Sequence, residues 1–262
     1  MMLNNKVAVI YGAGGAIGSA VARAFARDGA KLFLTGLHLA PVEVVAKEVN
    51  SAGGSAEAAE VDALDEQAID KHLQSVIDKV GRVDISFNAV GIPNPRNRVP
   101  LVELDVEQFS LPIATYTRSY FLTARLAARH MVSNKSGVIM AVTATPSRTG
   151  VPLVGGAGPA MAAVEALTRG LSVELAPQGI RVVGLRPQGM PETGRIKDVF
   201  RLSAKALGIT SEQFHELIAG RTHTRRLTTL AEMSNVAVFM ASDKASGLTG
   251  TIVNLSLGSL DD

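Results

Sequence analysis

The residues best suited to chemistry in this sequence come early. Gly12-Ala13-Gly14-Gly15-Ala16-Ile17-Gly18 follows the apolar run Val7-Ala8-Val9-Ile10-Tyr11 and leads into residues 19–26, where apolar side chains recur at helical spacing. A strand, a glycine turn and a helix start bring unpaired backbone N–H groups and the positive end of a helix to one point. That point suits the pyrophosphate of a dinucleotide. In the spacing Gly12-x-x-x-Ala16-x-Gly18, Ala16 stands where the backbone would come closest to such a ligand. A tight strand-to-helix turn with no ligand would use the same glycines, so the turn alone does not choose between the two.

Proton chemistry has few candidates, because the chain holds only three tyrosines and no cysteine. Tyr11 lies beside the glycine turn. Tyr116 and Tyr120 are spaced i, i+4, so one helix face carries two phenols towards the C-terminal edge of a sheet. Tyr116 can act as an acid there, or both rings can simply fill core volume. Thr143 and Thr145 offer hydroxyls to a ligand or to nearby backbone. Arg186 and Gln188, on either side of Pro187, would read a carboxylate or amide, or serve as turn residues. Without cysteine there are no disulfides, no thiolate catalysis and no Cys-ligated zinc. The five histidines (His38, His72, His130, His215, His223) lie far apart, and no metal site is expected.

A formal charge of +2, with acids and bases interspersed, favours neither nucleic acid nor a membrane surface as partner. No apolar run is long enough to span a bilayer, and a first strand beginning at Lys6 leaves no room for a signal peptide. A cytoplasmic protein is expected.

Positioning these residues requires an alternation of strands and helices, and the sequence supplies one. Residues 31–35 predict a second buried strand. A helix follows from about Pro41, as its first helical residue, to Asn50, and Gly53-Gly54 ends it. Residues 55–61 read as a third strand closing on Asp62, and Asp65 caps the helix that carries Ile69, Leu73 and Val76. Residues 83–87 predict a fourth strand, with Asn88-Ala89-Val90-Gly91 turning out of it. A loop with Pro93, Pro95 and Pro100 leads to a long helical region over about 106–131, which Pro112 restarts or kinks. Strands at Gly137–Val142, 179–185 and Thr251–Leu255 alternate with helices at 159–175 and Leu230–Ala241. Residues 190–225 break the alternation with two short helical patterns. Their Arg195, Lys197, Arg201, Arg221 and Arg225 suit a lid over an anionic substrate or a charge-rich surface. The expected fold is α/β, a Rossmann-type doubly wound parallel sheet with helices on both faces, forming a single domain over 1–262 with that lid-like insertion.

With these motifs in order, the chain resembles the short-chain dehydrogenase/reductase family over nearly its whole length. The glycine turn matches in place, as do Asp62 after the third strand and Asn88-Ala89-Val90-Gly91 for the family's Asn-Ala-Gly turn. Ala162-Ala163-Val164-Glu165-Ala166-Leu167-Thr168-Arg169, Glu174-Leu175-Ala176-Pro177-Gln178-Gly179-Ile180-Arg181-Val182 and Leu248-Thr249-Gly250 resemble later signatures. The resemblance implies an NAD or NADP site at Gly12, Gly14, Gly15, Ala16, Ile17, Gly18, Leu37, His38, Asp62, Asn88 and Gly91, with Asp62 against the adenine. It also implies a homodimer or homotetramer, or a hetero-oligomer with an active relative.

The same resemblance exposes departures. The family's tyrosine, and its lysine four residues later, fall on Ala157 and Met161. Its serine falls on Ala144 and its asparagine on Tyr116. A positioned acid contributes roughly 10²–10⁴-fold in rate, and neither Ala157 nor Met161 donates a proton or carries charge. No acid follows the second strand to hold a ribose 2′-hydroxyl. No arginine suits a 2′-phosphate either, since Thr35-Gly36-Leu37-His38 offers only His38. Three readings follow. One is an inactive or scaffolding member that still binds NAD or NADP weakly. Another is an active reductase or non-redox enzyme with a rebuilt site, using Tyr116 as acid and Thr143 and Thr145 towards substrate. The third is a sensor whose lid closes on an apolar ligand against Met161 and Ala157.

Overall fold

Five consecutive buried residues make strand β1 (Val7–Tyr11), and they can be buried on both faces only at the centre of a sheet. In the computed structural model, which describes residues 1–92 and 98–261, β1 lies between β2 (Lys31–Gly36) and β4 (Ile85–Asn88). The seven strands are parallel in the order β3-β2-β1-β4-β5-β6-β7, with β3 at Ser55–Glu60, β5 at Gly137–Val142, β6 at Ile180–Pro187 and β7 at Thr251–Leu255. The order reverses between β1 and β4, and the crevice beyond their C-terminal ends is where open α/β sheets take ligands.

Alternation along each strand divides the core in two. Ala8 and Ile10 of β1 pack with α1 (Ala16–Arg27), α2 (Leu39–Ser51) and α8 (Leu230–Ala241), where Phe25 meets Phe87 edge-on at 6.1 Å. Val7, Val9 and Tyr11 face the opposite layer of α3 (Glu66–Val80), α4 (Val106–Asn134) and α5 (Ala157–Leu175). A third, smaller cluster joins α6 (Gly194–Leu207) to α7 (Ser211–Gly220) through Phe200 and Phe214, 5.2 Å apart. These two helices occupy the stretch expected to break the alternation. Among the described residues no helix is long and apolar enough to cross a membrane.

The helix starts follow their side chains. Asp65 accepts from the N–H groups of Gln67 and Ala68, as its position predicts, and Thr229 forms a reciprocal capping box with Glu232. Two expectations are corrected. Pro41 is the third residue of α2, not the first; N–H groups of a first turn have no helical acceptor, so proline costs no hydrogen bond there. Pro112 does not divide its helix, because α4 runs unbroken from Val106 to Asn134 with Pro112 buried inside it. Pro93 and Pro95 of the expected proline loop, and the Arg195 side chain, lie outside the described residues.

On α3, His72 supplies a pH signature for folding. Burial lowers its pKa from 6.5 to about 4, and Lys79 adds to the shift while Glu57 opposes it. Its Nδ1 is buried without a hydrogen-bond partner. The ring is therefore neutral in the folded state at pH values where the unfolded chain already binds a proton. Stability should fall as pH drops from 6.5 to about 4. His72→Gln should remove about one proton's share of that slope, measured as melting temperature against pH. An unchanged slope would place the titration elsewhere.

Candidate active site

The glycine turn sits at the sheet's reversal point and is built by close approach. Gly12 has φ +74°, and a Cβ there would stand 2.7 Å from the Ala89 carbonyl oxygen, in the loop leaving β4. A Cβ on Gly18 would meet the Gly12 carbonyl and stand 2.8 Å from the Ala13 Cα, so the first turn of α1 lies directly against the strand end. Gly15 is the N-cap in extended conformation. It gives no side-chain cap, and no acid stands in the first turn. No acidic residue of the helix's own first turn offsets its positive end. That cradle fits a dinucleotide's diphosphate.

The flanking residues are more occupied. The Asn88 side chain accepts from Val90 N at 3.1 Å and donates to Thr123 Oγ1 at 3.0 Å, tying the β4 loop to α4. Asp62 Oδ1 accepts from Leu64 N at 2.8 Å. Leu37 is exposed, and His38 is the N-cap of α2 without a side-chain bond. Tyr11, beneath the turn, is fully buried; its hydroxyl has no partner, and burial pushes its pKa up.

Ala144 lies beyond the end of β5, and Ala157 opens α5 with Met161 one turn further on. Met161 and Tyr116 are both buried in the α4–α5 layer. Tyr116 Oη accepts a long bond, 3.5 Å, from Ile92 N just beyond the β4 loop. Tyr120 is a core residue, hydrogen-bonded to Thr168 Oγ1 at 3.1 Å, and burial raises its pKa. Among the described residues no group of three or more His, Cys, Asp or Glu side chains could hold a metal.

The polar groups expected to face a ligand are engaged with one another. Arg186 forms a bidentate pair with Glu165, with Nε to Oε1 at 2.8 Å and Nη2 to Oε2 at 3.0 Å. Thr143 Oγ1 and Ser147 Oγ donate to the same Oε1 at 3.0 and 2.6 Å. Thr145 Oγ1 donates to Gln188 Oε1 at 3.3 Å, and Gln188 Nε2 donates to Ser259 Oγ at 3.1 Å. Arg186 thus meets a carboxylate of the chain itself, Thr143 bonds the Leu185 carbonyl at 3.4 Å as well as Glu165, and Thr145 bonds a side chain. A buried guanidinium needs a carboxylate, and Glu165 on α5 is nearer than any solute. The sequence analysis did not single out Glu165, although a signal was present: a glutamate on an alanine-rich helix and an arginine near the end of an apolar strand are each costly unless paired.

Both partners are 3% exposed or less, so removing one strands a buried charge. Arg186→Met is expected to cost roughly 3–5 kcal/mol in urea unfolding, with Glu165→Leu added to it recovering part of the loss. A single variant as stable as the parent would mean that water reaches the pair.

With this geometry in place, comparison with known proteins identifies the chain's relatives. A family model described as Enoyl-(Acyl carrier protein) reductase matches residues 12–259. The chain is 32% identical over 248 residues to an uncharacterized oxidoreductase, YxbG, of Bacillus subtilis (strain 168), covering 95% of this chain and 88% of that one. It is 29% identical over 269 residues to the 7alpha-hydroxysteroid dehydrogenase of Escherichia coli (strain K12), covering 100% and 97% of the two chains. A solved structure of NAD+-bound xylitol dehydrogenase superposes with a TM-score of 0.91 at 25% identity, over 97% of this chain and 98% of that one. Seven parallel strands reversing order at a glycine turn, and matches that run nearly end to end, place this chain in the short-chain dehydrogenase/reductase family of oxidoreductases.

Proposed function

We propose that this protein binds a nicotinamide dinucleotide weakly at its glycine turn and does not perform the family's ordinary proton transfer, acting as an inactive or scaffolding member. One observation carries the reading. The places where the family resemblance puts a proton donor and its helpers hold Ala144, Ala157 and Met161, which are two methyl groups and a thioether. The cofactor, when bound, supplies or accepts a hydride. The protein must supply the proton that neutralises the developing alkoxide, and these side chains have none to give.

For binding, support is stronger at one end than at the other. The first turn of α1 would hold the diphosphate, with Asp62 and the β4 loop flanking the adenosine, and the xylitol dehydrogenase relative is described as NAD+-bound. Ala157 and Met161 offer the nicotinamide ribose no hydrogen bond, which is why weakened affinity is proposed. Exposed Phe121 and Val132 on α4 and Val173 on α5 support self-association into a homodimer or homotetramer, or pairing with an active relative. The small formal charge of +2 supports a small-molecule ligand rather than nucleic acid or membrane, in a cytoplasmic setting.

A rebuilt active site is the second reading, and Tyr116 favours it. Its hydroxyl reaches Ile92 N at the loop beyond β4, the edge on which a ligand would lie. Purified protein should show no turnover of NADH or NADPH with a broad panel of carbonyl compounds. Turnover that disappears in Tyr116→Phe would overturn the inactive reading and identify the acid. Binding is measured separately by melting-temperature titration with NAD+, NADP+, NADH and NADPH. At least one should raise the melting temperature, because a ligand of the folded state stabilises by mass action.

A further inference from the structure

The position after β2, where a dinucleotide fold commonly carries its ribose-binding acid, holds only Leu37 and His38. A carboxylate nonetheless reaches the same corner from the next strand. Glu60 ends β3 beside Gly36, its register partner at the end of β2. Its Oε2 accepts from Leu39 N, the first residue of α2, at 3.1 Å. The glycine turn abuts that same first turn of α2: a Cβ on Gly14 would stand 2.9 Å from the Pro41 Cβ. Glu60, the start of α2 and the diphosphate cradle thus form one continuous edge.

We infer that Glu60 is the specificity-determining acid of this site and sets a preference for NAD over NADP. The inference rests on the dinucleotide reading above. A carboxylate offers about four lone-pair positions, and Leu39 N occupies one, so acceptor capacity remains for ribose hydroxyls. The same charge removes the site's use for a 2′-phosphate. It caps the helix start that would otherwise attract the phosphate, and it repels a dianion at short range. Exposed Leu37 brings no cation to offset it. The acid arrives from β3 instead of β2 because parallel pairing sets the two strand ends side by side, Gly36 against Glu60.

Isothermal titration of the full chain with NAD+ and with NADP+ tests this directly, without catalysis. The parent protein should bind NAD+ at least about tenfold more tightly than NADP+. Glu60→Gln should bring the two to within roughly threefold, and Glu60→Arg should reverse the order. Glu60 is exposed, and circular dichroism of each variant checks that the fold is intact. Equal affinities in the parent, or a ratio unmoved by both substitutions, would overturn the inference while leaving dinucleotide binding in place. Absence of binding by either nucleotide would overturn the dinucleotide reading and this inference with it.

Discussion

The site depends on the tight approach of Gly12 to the Ala89 carbonyl, where an added Cβ would stand only 2.7 Å from the oxygen. Ala89 N donates to Tyr11 O at 2.9 Å, so β1 and β4 stay paired to their last residues before their loops turn opposite ways. Only a hydrogen atom fits between Gly12 and that carbonyl, and φ there is positive. This steric constraint keeps the glycine turn packed against the loop leaving β4. A side chain at Gly12 would push apart the strands whose divergence makes the site.

Away from that point the crevice changes character. On the β2–β3 side it presents backbone N–H groups and a carboxylate, suited to the polar end of a nucleotide. On the β5–α5 side, polar groups are present but paired: Glu165 accepts from Arg186, Thr143 and Ser147 together. A buried ion pair of this kind contributes little net stability against an apolar replacement. Its effect is to tie the middle of α5 to the ends of β5 and β6. Ala157 at the start of α5, and Met161 one turn on and buried in the core, are apolar. The chain thus keeps the parallel sheet and glycine turn of its family, with a network of paired polar groups at the β5–β6 edge.

Much of the fold was legible in the sequence because burial leaves a direct trace. Strands at Gly137–Val142 and Thr251–Leu255 and the helix Leu230–Ala241 begin and end where the sequence pattern places them. Boundaries drifted where two rules compete. Pro41 suits the first helical position, yet any residue of the first turn is free of an acceptor, so α2 starts two residues earlier. Pro112 usually breaks a helix, but α4 has a long buried face whose packing outweighs the one missing bond.

The sequence by itself determined the doubly wound sheet, the glycine turn at its reversal and the family, because strand alternation, helical spacing and glycine placement are local and periodic. It also determined that Ala144, Ala157 and Met161 bring no acid. Tertiary structure decided which polar residues are spoken for and which carboxylate meets the start of α2. Arg186 and Glu165 are 21 residues apart in sequence, and Leu39 and Glu60 are also 21 apart. No local pattern encodes either pairing. Both arise because the fold brings distant chain segments together, where a buried charge takes the nearest opposite charge and a helix start takes the nearest carboxylate.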